Sequence, residues 1–261
     1  MKLRIYQVDA FTDRLFSGNP AAVCPLEGDW LSDSTMQNIA MENNLAETAF
    51  YLHKDGGYHI RWFTPTEEAD LCGHATLATA HVLFECEGFD GDEIAFASRS
   101  GVLGVKKVGD HLVMDFPSDR ITPVKDSGCL SGCFDTEPVE VYRGGSDLML
   151  VFENESEIRN IGFDLRAISQ VDARGVMVTA EGDRSDFVSR FFAPQAGIDE
   201  DPVTGSAHTT LTPYWSKRLG KDELTAEQLS SRGGVLICRY HGERTEILGK
   251  TKLYLTGEIE I

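Results

Sequence analysis

Two acids and a histidine stand at positions where proton-transfer chemistry is common. Glu47 directly precedes the apolar segment 49–52, so its carboxylate should be partly withdrawn from water, which favours the neutral form and suits a general acid or base. Asp201 lies close to a predicted helix start at 205–206. His74 opens an apolar helix, whose positive end should lower its pKa and leave a neutral imidazole able to relay a proton. These three residues are candidates for proton-transfer chemistry.

Each member of this group also has a structural alternative. Taken singly, either acid could be a helix cap or a solvated surface charge. His74 could simply cap the turn at which its helix begins. Asp201 belongs to a run of three acids. Mutual repulsion favours its neutral form and the helix end favours its charged form, so the sequence leaves the balance open.

The elements that position these residues occur in two copies. Segments 61–65 (RWFTP) and 190–194 (RFFAP) lie 129 residues apart. Each leads into a glycine and a helix-like run, at Gly73-His74 and at Gly205-Ser206. This spacing predicts a tandem duplication whose two halves face one cleft.

The two helix starts form a pair of candidate anion cradles. The first turn of a helix has unpaired N–H groups and a positive dipole end, and glycine lets a ligand approach the backbone closely. Together, Gly73-His74 and Gly205-Ser206 would hold the oxygens of a carboxylate or an enolate. Taken singly, each favours an ordinary helix start, and it is the repetition of the pair that favours a functional interpretation.

Hydrophobic periodicity predicts an α+β architecture in which each half is a curved, mostly antiparallel sheet around a central helix. The helix predicted at 74–86 is apolar on nearly every face and should be buried. The other helices are expected at 32–44, 154–171 and 206–219. Strands are expected near 3–11, 21–26, 48–52, 58–63, 93–98, 102–107, 111–116, 139–143, 147–152, 174–180, 186–192, 234–240, 245–249 and 252–256. The predicted division is an N-terminal lobe at 1–117, a linker at 118–138 and a C-terminal lobe at 139–261, whose last strand could return to the first lobe.

Composition narrows the range of partners. The chain has 261 residues, and its 41% hydrophobic content is typical of a globular protein. Its net charge of −18 repels nucleic acid and anionic lipid. It contains neither an N-terminal apolar leader nor an apolar run of membrane-spanning length. A cytoplasmic protein without a membrane or nucleic-acid partner is therefore expected.

The motifs that would indicate a cofactor are missing from the sequence. Dinucleotide-binding, P-loop and nucleophile-elbow patterns do not occur. The six cysteines are scattered, and Cys129 and Cys133 lack histidines at zinc-ligand spacing. No metal and no cofactor are therefore predicted. Cys72 could form a thiolate at its helix N-terminus, but residues 190–210 offer no second thiol.

Six ordered segments give the chain a recognisable resemblance. They are 8–12 (VDAFT), 18–23 (GNPAAV), 44–48 (NLAET), 61–65 (RWFTP), 71–77 (LCGHATL) and 200–208 (EDPVTGSAH). The sequence resembles the PhzF-like phenazine biosynthesis proteins, which have the diaminopimelate-epimerase-like fold. The resemblance implies two barrel-like lobes with a site between them, an isomerase that needs no metal or cofactor, and a homodimer.

By matching position, the resemblance implies that Glu47 is the catalytic acid or base and that His74 and Asp201 assist it. The predicted substrate- or anion-binding residues are Asn19, Gly73, Ala75, Gly205 and Ser206. The related epimerases use a pair of cysteines, and this chain lacks the second one, which favours the carboxylate-based branch.

The expected function is a cofactor-independent isomerase or epimerase that moves a proton on a small carboxylated metabolite in the interlobe cleft. The alternative is a non-catalytic protein of the same fold that binds small acids. A two-thiol racemase is a third possibility, which the missing second cysteine disfavours. The resemblance does not supply the substrate.

Overall fold

The chain forms two compact units. The computed structural model describes residues 1–125 and 128–261, without the side chain of Cys129. The first unit comprises Met1–Asp115 and Leu248–Ile261, and the second comprises Phe116–Ile247. The predicted division into 1–117, 118–138 and 139–261 stays a prediction.

Strands dominate the secondary structure. In chain order the elements are β1 (Lys2–Ala10), β2 (Asn19–Leu26), α1 (Asp33–Asn43), β3 (Glu47–Lys54), β4 (Gly57–Phe63), β5 (Glu68–Ala69), α2 (Gly73–His81), β6 (Glu93–Ser98), β7 (Gly101–Val108), β8 (His111–Pro117), β9 (Ile121–Pro123), β10 (Glu140–Gly144), β11 (Asp147–Val151), α3 (Glu155–Asn160), α4 (Leu165–Ile168), β12 (Val176–Glu181), β13 (Phe187–Ala193), β14 (Ile198–Asp201), α5 (His208–Leu219), β15 (Glu223–Gln228), β16 (Gly234–Tyr240), β17 (Arg244–Gly249) and β18 (Thr251–Glu260). None of the helices in the described ranges is both long and apolar enough to cross a membrane.

Both units use the same strand connections. In the first, β2 and β3 are parallel, β3 and β4 are antiparallel, and β4 and β6 are parallel across α2. In the second, β11 and β12 are parallel, β12 and β13 are antiparallel, and β13 and β15 are parallel across α5. The predicted α+β fold, built from two similar and mostly antiparallel halves, is confirmed. The last strand, β18, returns to pair with β1 from Lys2 to Ala10.

A fully enclosed helix forms the centre of each unit. Residues 74–80 of α2 and 208–216 of α5 are all buried, so no face of either stretch is left to solvent. The buried hydroxyl of Thr76 donates to the carbonyl of Cys72 at 2.6 Å, and the hydroxyl of Thr79 donates to that of Ala75 at 2.8 Å. Polar side chains are therefore tolerated inside this core, because the helix backbone satisfies them.

The repeated arginine motif has the same role in both units. Arg61 lies in β4 and binds Glu68 of β5 at 2.7 Å. Arg190 lies in β13 and binds Glu200 of β14, also at 2.7 Å. In each case the guanidinium also lies 5.2 Å from the ring of the phenylalanine two residues later. The motif therefore fixes the short strand that precedes each central helix.

Several elements differ from the sequence-based prediction. The helix predicted at 74–86 is α-helical only to His81, and residues 82–86 form a π-helix, which periodicity over five residues does not distinguish from an α-helix. β15 was not predicted, although its buried residues Leu224, Ala226 and Gln228 alternate with outward ones. The predicted linker contains β9 and a 3₁₀ turn at 128–130; its residues 126–127 lie outside the described part.

Close approach of a strand to a central helix makes Gly144 sensitive to substitution. A Cβ atom at Gly144 would lie 2.3 Å from the methyl group of Thr210 in α5. We expect Gly144→Ala to lower the free energy of unfolding by about 1–3 kcal/mol, because the packed side chain must shift. The matched control is Gly104→Ala in β7, where the new atom meets only Glu93 at 3.7 Å. Denaturant unfolding measures both, and equal values would contradict the prediction.

Candidate active site

The candidate site of the first unit is built where two parallel strands and a helix begin. Asn19 is the first residue of β2 and Glu47 is the first residue of β3, and Glu47 pairs in register with Ala21. Parallel pairing brings the starts of both strands to one edge of the sheet. Gly18, before Asn19, has a φ of +70°, and a Cβ there would lie 2.2 Å from the carbonyl oxygen of Ala10, so the tight entry to β2 requires glycine.

Glu47 and His74 meet at this edge. Oε2 of Glu47 lies 3.0 Å from Nε2 of His74, and the two residues are only 9% and 6% exposed. Their relative orientation does not produce a well-aligned hydrogen bond, and neither atom has another hydrogen-bond partner among the described residues. Buried polar atoms are nearly always satisfied. A carboxylate and an imidazole nitrogen with unused capacity therefore mark a place where a ligand would complete the hydrogen bonding.

The second ring nitrogen of His74 contacts two residues. Nδ1 of His74 lies 3.3 Å from the amide nitrogen of Asn19 and 3.5 Å from Sγ of Cys72. When the ring is neutral, the Asn19 amide can donate to Nδ1 only if the ring proton resides on Nε2. Asn19, predicted as a substrate- or anion-binding residue, thus contacts His74 and, whenever the ring is neutral, directs its proton to the nitrogen that faces Glu47.

The charge state of His74 differs from the prediction. Burial alone would lower its pKa, but Cys72 and Glu47 act in the opposite direction and prevail, so the pKa lies well above its ordinary value of 6.5. Burial and the Glu47 carboxylate raise the pKa of the Cys72 thiol, which keeps the thiol neutral. Glu47 is thus the charge that stabilises the imidazolium. The predicted lowering of the His74 pKa was wrong, because contacts with Cys72 and Glu47 raise the pKa more than burial lowers it.

The same three residues could in principle bind a metal ion. The potential ligand atoms of Glu47, Cys72 and His74 all lie within 4.8 Å of one another. However, Glu47 faces Nε2 of the ring and Cys72 faces Nδ1, so an ion bound to either nitrogen would be offset from one of the two other ligands. This arrangement suits a proton relay better than chelation. The expected absence of a metal stays a prediction.

The second unit holds Asp201 in a network of buried hydrogen bonds. The hydroxyl of Thr204 donates to Oδ2 of Asp201 at 2.6 Å. The side chain of Gln228 donates to the backbone carbonyl of Asp201 at 2.8 Å and accepts from the N–H of Thr204 at 2.9 Å. Asp201 is therefore held at its carboxylate by Thr204 and at its backbone carbonyl by Gln228.

The run of three acids does not act as one group. Asp199 is exposed, Glu200 is bound to Arg190, and Asp201 is buried. β14 is extended, so Glu200 points to the face opposite that of Asp199 and Asp201. The repulsion expected from the sequence is thereby reduced.

The remaining predicted residues lie at the two helix starts. Gly73 begins α2, and Ala75 is fully buried in its first turn. Gly205 and Ser206 form the turn that precedes α5, whose first residue is His208, two positions later than predicted. The group around Glu47 and His74 lies in the first unit, and the group around Asp201 and Ser206 lies in the second. Each group is called a half-site below. Their predicted meeting in one cleft stays a prediction.

Sequence reasoning missed several residues of the second half-site. Gln228 lies in the unpredicted β15, and Arg174 donates to the hydroxyl of Ser206 at 3.1 Å. His208 is fully buried, and its Nδ1 donates to the carbonyl of Thr204 at 2.9 Å. Burial lowers the pKa of His208 to about 4, so it is neutral. The strict alternation in β15 could have drawn attention to Gln228; no local pattern marks Arg174.

A second reactive thiol is not available at Cys238. This residue is completely buried, and burial raises its pKa to about 12. A thiol in this state is protonated at neutral pH and does not act as a base.

Comparison with known proteins confirms the resemblance noted in the sequence. A family model described as phenazine biosynthesis-like protein matches residues 8–258. A Pseudomonas aeruginosa protein named as an uncharacterized isomerase is 49% identical over 261 residues, and each chain is covered completely. The crystal structure of a PhzF-family phenazine biosynthesis protein from Enterococcus faecalis is 45% identical, covers 100% of both chains and has a TM-score of 0.96. A hydroxyproline epimerase from Agrobacterium vitis shares the fold, with a TM-score of 0.64 at 8% identity over 99% of this chain and 92% of its own.

The raised pKa of His74 should depend on Glu47. In Glu47→Gln the pKa of His74 should fall, because the carboxylate that raises it is removed, whereas Cys72→Ser should change it less, because the thiol is neutral. NMR titration of the His74 ring nitrogens measures both effects. The folded-state pKa exceeds the unfolded one, so the stabilisation from this pair is complete below about pH 6.5 and is lost as the pH rises through the folded pKa. The reverse pattern, with Cys72→Ser lowering the pKa and Glu47→Gln not, would contradict this account.

Gln228 should be important for stability because it satisfies two buried backbone groups. We expect Gln228→Leu to lower the free energy of unfolding by at least about 2 kcal/mol, since each buried group left unsatisfied costs about 1–3 kcal/mol. The control is Gln170→Leu at an exposed position, which should change stability by less than about 0.5 kcal/mol. Urea unfolding curves of both variants test this difference.

Proposed function

The chain belongs to the family of phenazine biosynthesis-like proteins, and from this premise we propose that it is a cofactor-independent isomerase that moves a proton on a small carboxylated metabolite. The relative from Pseudomonas aeruginosa is named an isomerase, which supports the reaction class. The observation that carries the proposal is the buried contact between Glu47 and His74, 3.0 Å apart, in which both atoms have unused hydrogen-bonding capacity.

The proposed reaction begins with the Glu47 carboxylate, which accepts a proton from a carbon next to the activating group of the substrate. The electron pair of the broken C–H bond delocalises into that group and forms an enolate-like anion. A proton then returns to a different carbon, so the product is an isomer and no electrons are gained or lost. General acid–base catalysis of this kind contributes roughly 10²–10⁴-fold to the rate.

The pairing of Glu47 with His74 couples removal of the proton from one carbon to its return at another. The Glu47 carboxylate raises the pKa of His74, so the ring holds its proton while the carboxylate is charged. When Glu47 accepts the substrate proton, this charge is neutralised and the pKa of His74 falls. The ring becomes a stronger acid at the moment when the substrate carries its negative charge, which is when a donor is needed.

The other predicted residues have supporting roles in this proposal. Asp201, held by Thr204 and Gln228, steers or relays a proton in the second half-site. The helix starts at Gly73 and at Gly205-Ser206 provide N–H groups for the carboxylate and for the developing charge. Ala75 and Asn19 shape the first half-site through the packing of α2 and through contact with His74.

Solvent deuterium incorporation provides the test of the proposal. The protein is incubated in D₂O with a panel of small cyclic and acyclic carboxylic acids, and uptake is read by mass spectrometry. We expect one compound to gain deuterium, and we expect Glu47→Gln to reduce the rate by at least about 10²-fold, because the amide cannot accept the proton. Cys72→Ser is the control and should retain activity, since the buried thiol is neutral.

Each alternative function has its own signature in this assay. Binding of an acid without any deuterium uptake would favour the non-catalytic binding protein. Full activity in Glu47→Gln would remove this carboxylate from the mechanism. If that activity were also lost in Cys72→Ser, a thiol-based racemase would replace the present proposal. Near-native stability of both variants, measured by thermal unfolding, ensures that a loss reflects chemistry.

A further inference from the structure

An arginine in the second unit lies next to the position that corresponds to Glu47 in the first. Thr48 pairs with Phe63, and Val176 pairs with Phe192, so the residue before Val176 corresponds to Glu47. That residue is Gly175, where a Cβ would lie 2.3 Å from the ring of Phe191. A side chain cannot be accommodated at this position, and the neighbouring Arg174 reaches the helix start instead.

Arg174 is held rigidly at this place. Its Nε donates to Oδ1 of Asp147 at 2.9 Å, and its Nη2 donates to Oδ2 of the same carboxylate, which makes a bidentate pair. The backbone N–H of Arg174 donates to the carbonyl of Ser146 at 2.8 Å, and the guanidinium lies 5.5 Å from the ring centre of Phe191. Asp147 is almost completely buried, so the pair is a fixed feature of the unit.

The guanidinium determines the direction of the Ser206 hydrogen bond. Nη2 of Arg174 lies 3.1 Å from Oγ of Ser206, which is exposed. Arginine has only donors, so the serine oxygen accepts in this contact and its own hydrogen points elsewhere. A nearby positive charge also strengthens that hydroxyl as a donor. Ser206 therefore presents a hydrogen-bond donor, and its best ligand is a hydrogen-bond acceptor such as a carboxylate oxygen.

The neighbouring acids accept hydrogen bonds from other groups of the unit. The carboxylate of Asp147 is bound by Arg174, and Oδ2 of Asp119 accepts from the hydroxyls of Thr209 and Thr210 at 3.0 and 2.7 Å. Oδ2 of Asp201 accepts from Thr204. Each of these carboxylates thus accepts hydrogen bonds from groups other than Ser206.

We propose that Arg174, fixed by Asp147, is a positioning residue that makes Ser206 the donor selecting the carboxylate group of the substrate. This inference rests on the proposed function for its substrate class and deepens it, because it assigns recognition of the carboxylate to the second half-site. Arg174 acts through Ser206, and its own role in binding should disappear when the serine hydroxyl is absent.

Calorimetric binding of benzoate and benzamide tests the proposal. The two probes have similar shape but differ in charge and hydrogen bonding. The native protein should bind benzoate at least about tenfold more tightly than benzamide. Ser206→Ala and Arg174→Gln should each weaken benzoate binding about tenfold, and the double variant should be no weaker than Ser206→Ala alone. A purely structural role of Arg174 would instead give losses that multiply in the double variant.

A second variant guards against misfolding of Arg174→Gln, which leaves Asp147 buried without its partner. Asp147→Leu combined with Arg174→Met removes both charges and should weaken benzoate binding as much as Ser206→Ala does. Equal binding of the two probes, no binding of benzoate to the native protein, or multiplicative losses would each overturn the inference.

The outcome is separable from that of the proposed function. Benzoate binding does not require proton transfer, so Glu47→Gln should preserve the preference for benzoate over benzamide. Retained exchange activity in Glu47→Gln would refute the proposed mechanism and leave the coupling between Arg174 and Ser206 intact. Loss of that coupling with a normal effect of Glu47→Gln would refute only the present inference.

Discussion

Each unit depends on the enclosure of a helix that has no face suited to water. Residues 74–80 and 208–216 are buried all round, so the surrounding elements must cover these stretches on every side. Threonines inside the first of these helices donate their hydroxyls to backbone carbonyls, which removes the usual penalty for a buried polar group. The enclosure fixes where each helix begins and therefore where its N–H groups and first side chains lie.

The duplicated scaffold carries different chemistry in its two copies. Both units use an Arg–Glu pair of 2.7 Å to anchor the short strand before the central helix. Near the start of its central helix, the first unit places a carboxylate against an imidazole, whereas the second unit places a guanidinium against a hydroxyl. The framework is thus kept in both units, while a few side chains near the helix starts differ in charge and hydrogen-bonding character.

Much of the fold could be predicted from the sequence, because local patterns carried it. Asp55 and Gly56 both have a positive φ and form the turn that closes the β3–β4 hairpin. Ser32 caps α1 by accepting from the N–H of Thr35. Gln228 escaped prediction because its strand is short and largely polar. The π-helix at 82–86 escaped because its side chains carry the same apolar signal as an α-helix.

The sequence by itself determined the duplication, the central helices and the proximity of His74 to a helix start, since these follow from periodicity and spacing along the chain. Only the tertiary structure decided the charge of His74 and the partners of Ser206. The pKa of His74 depends on a carboxylate 27 positions away in the chain, and Ser206 is oriented by an arginine 32 positions before it. Electrostatic and hydrogen-bond energies depend on distances of a few ångströms in space, which spacing along the chain does not specify.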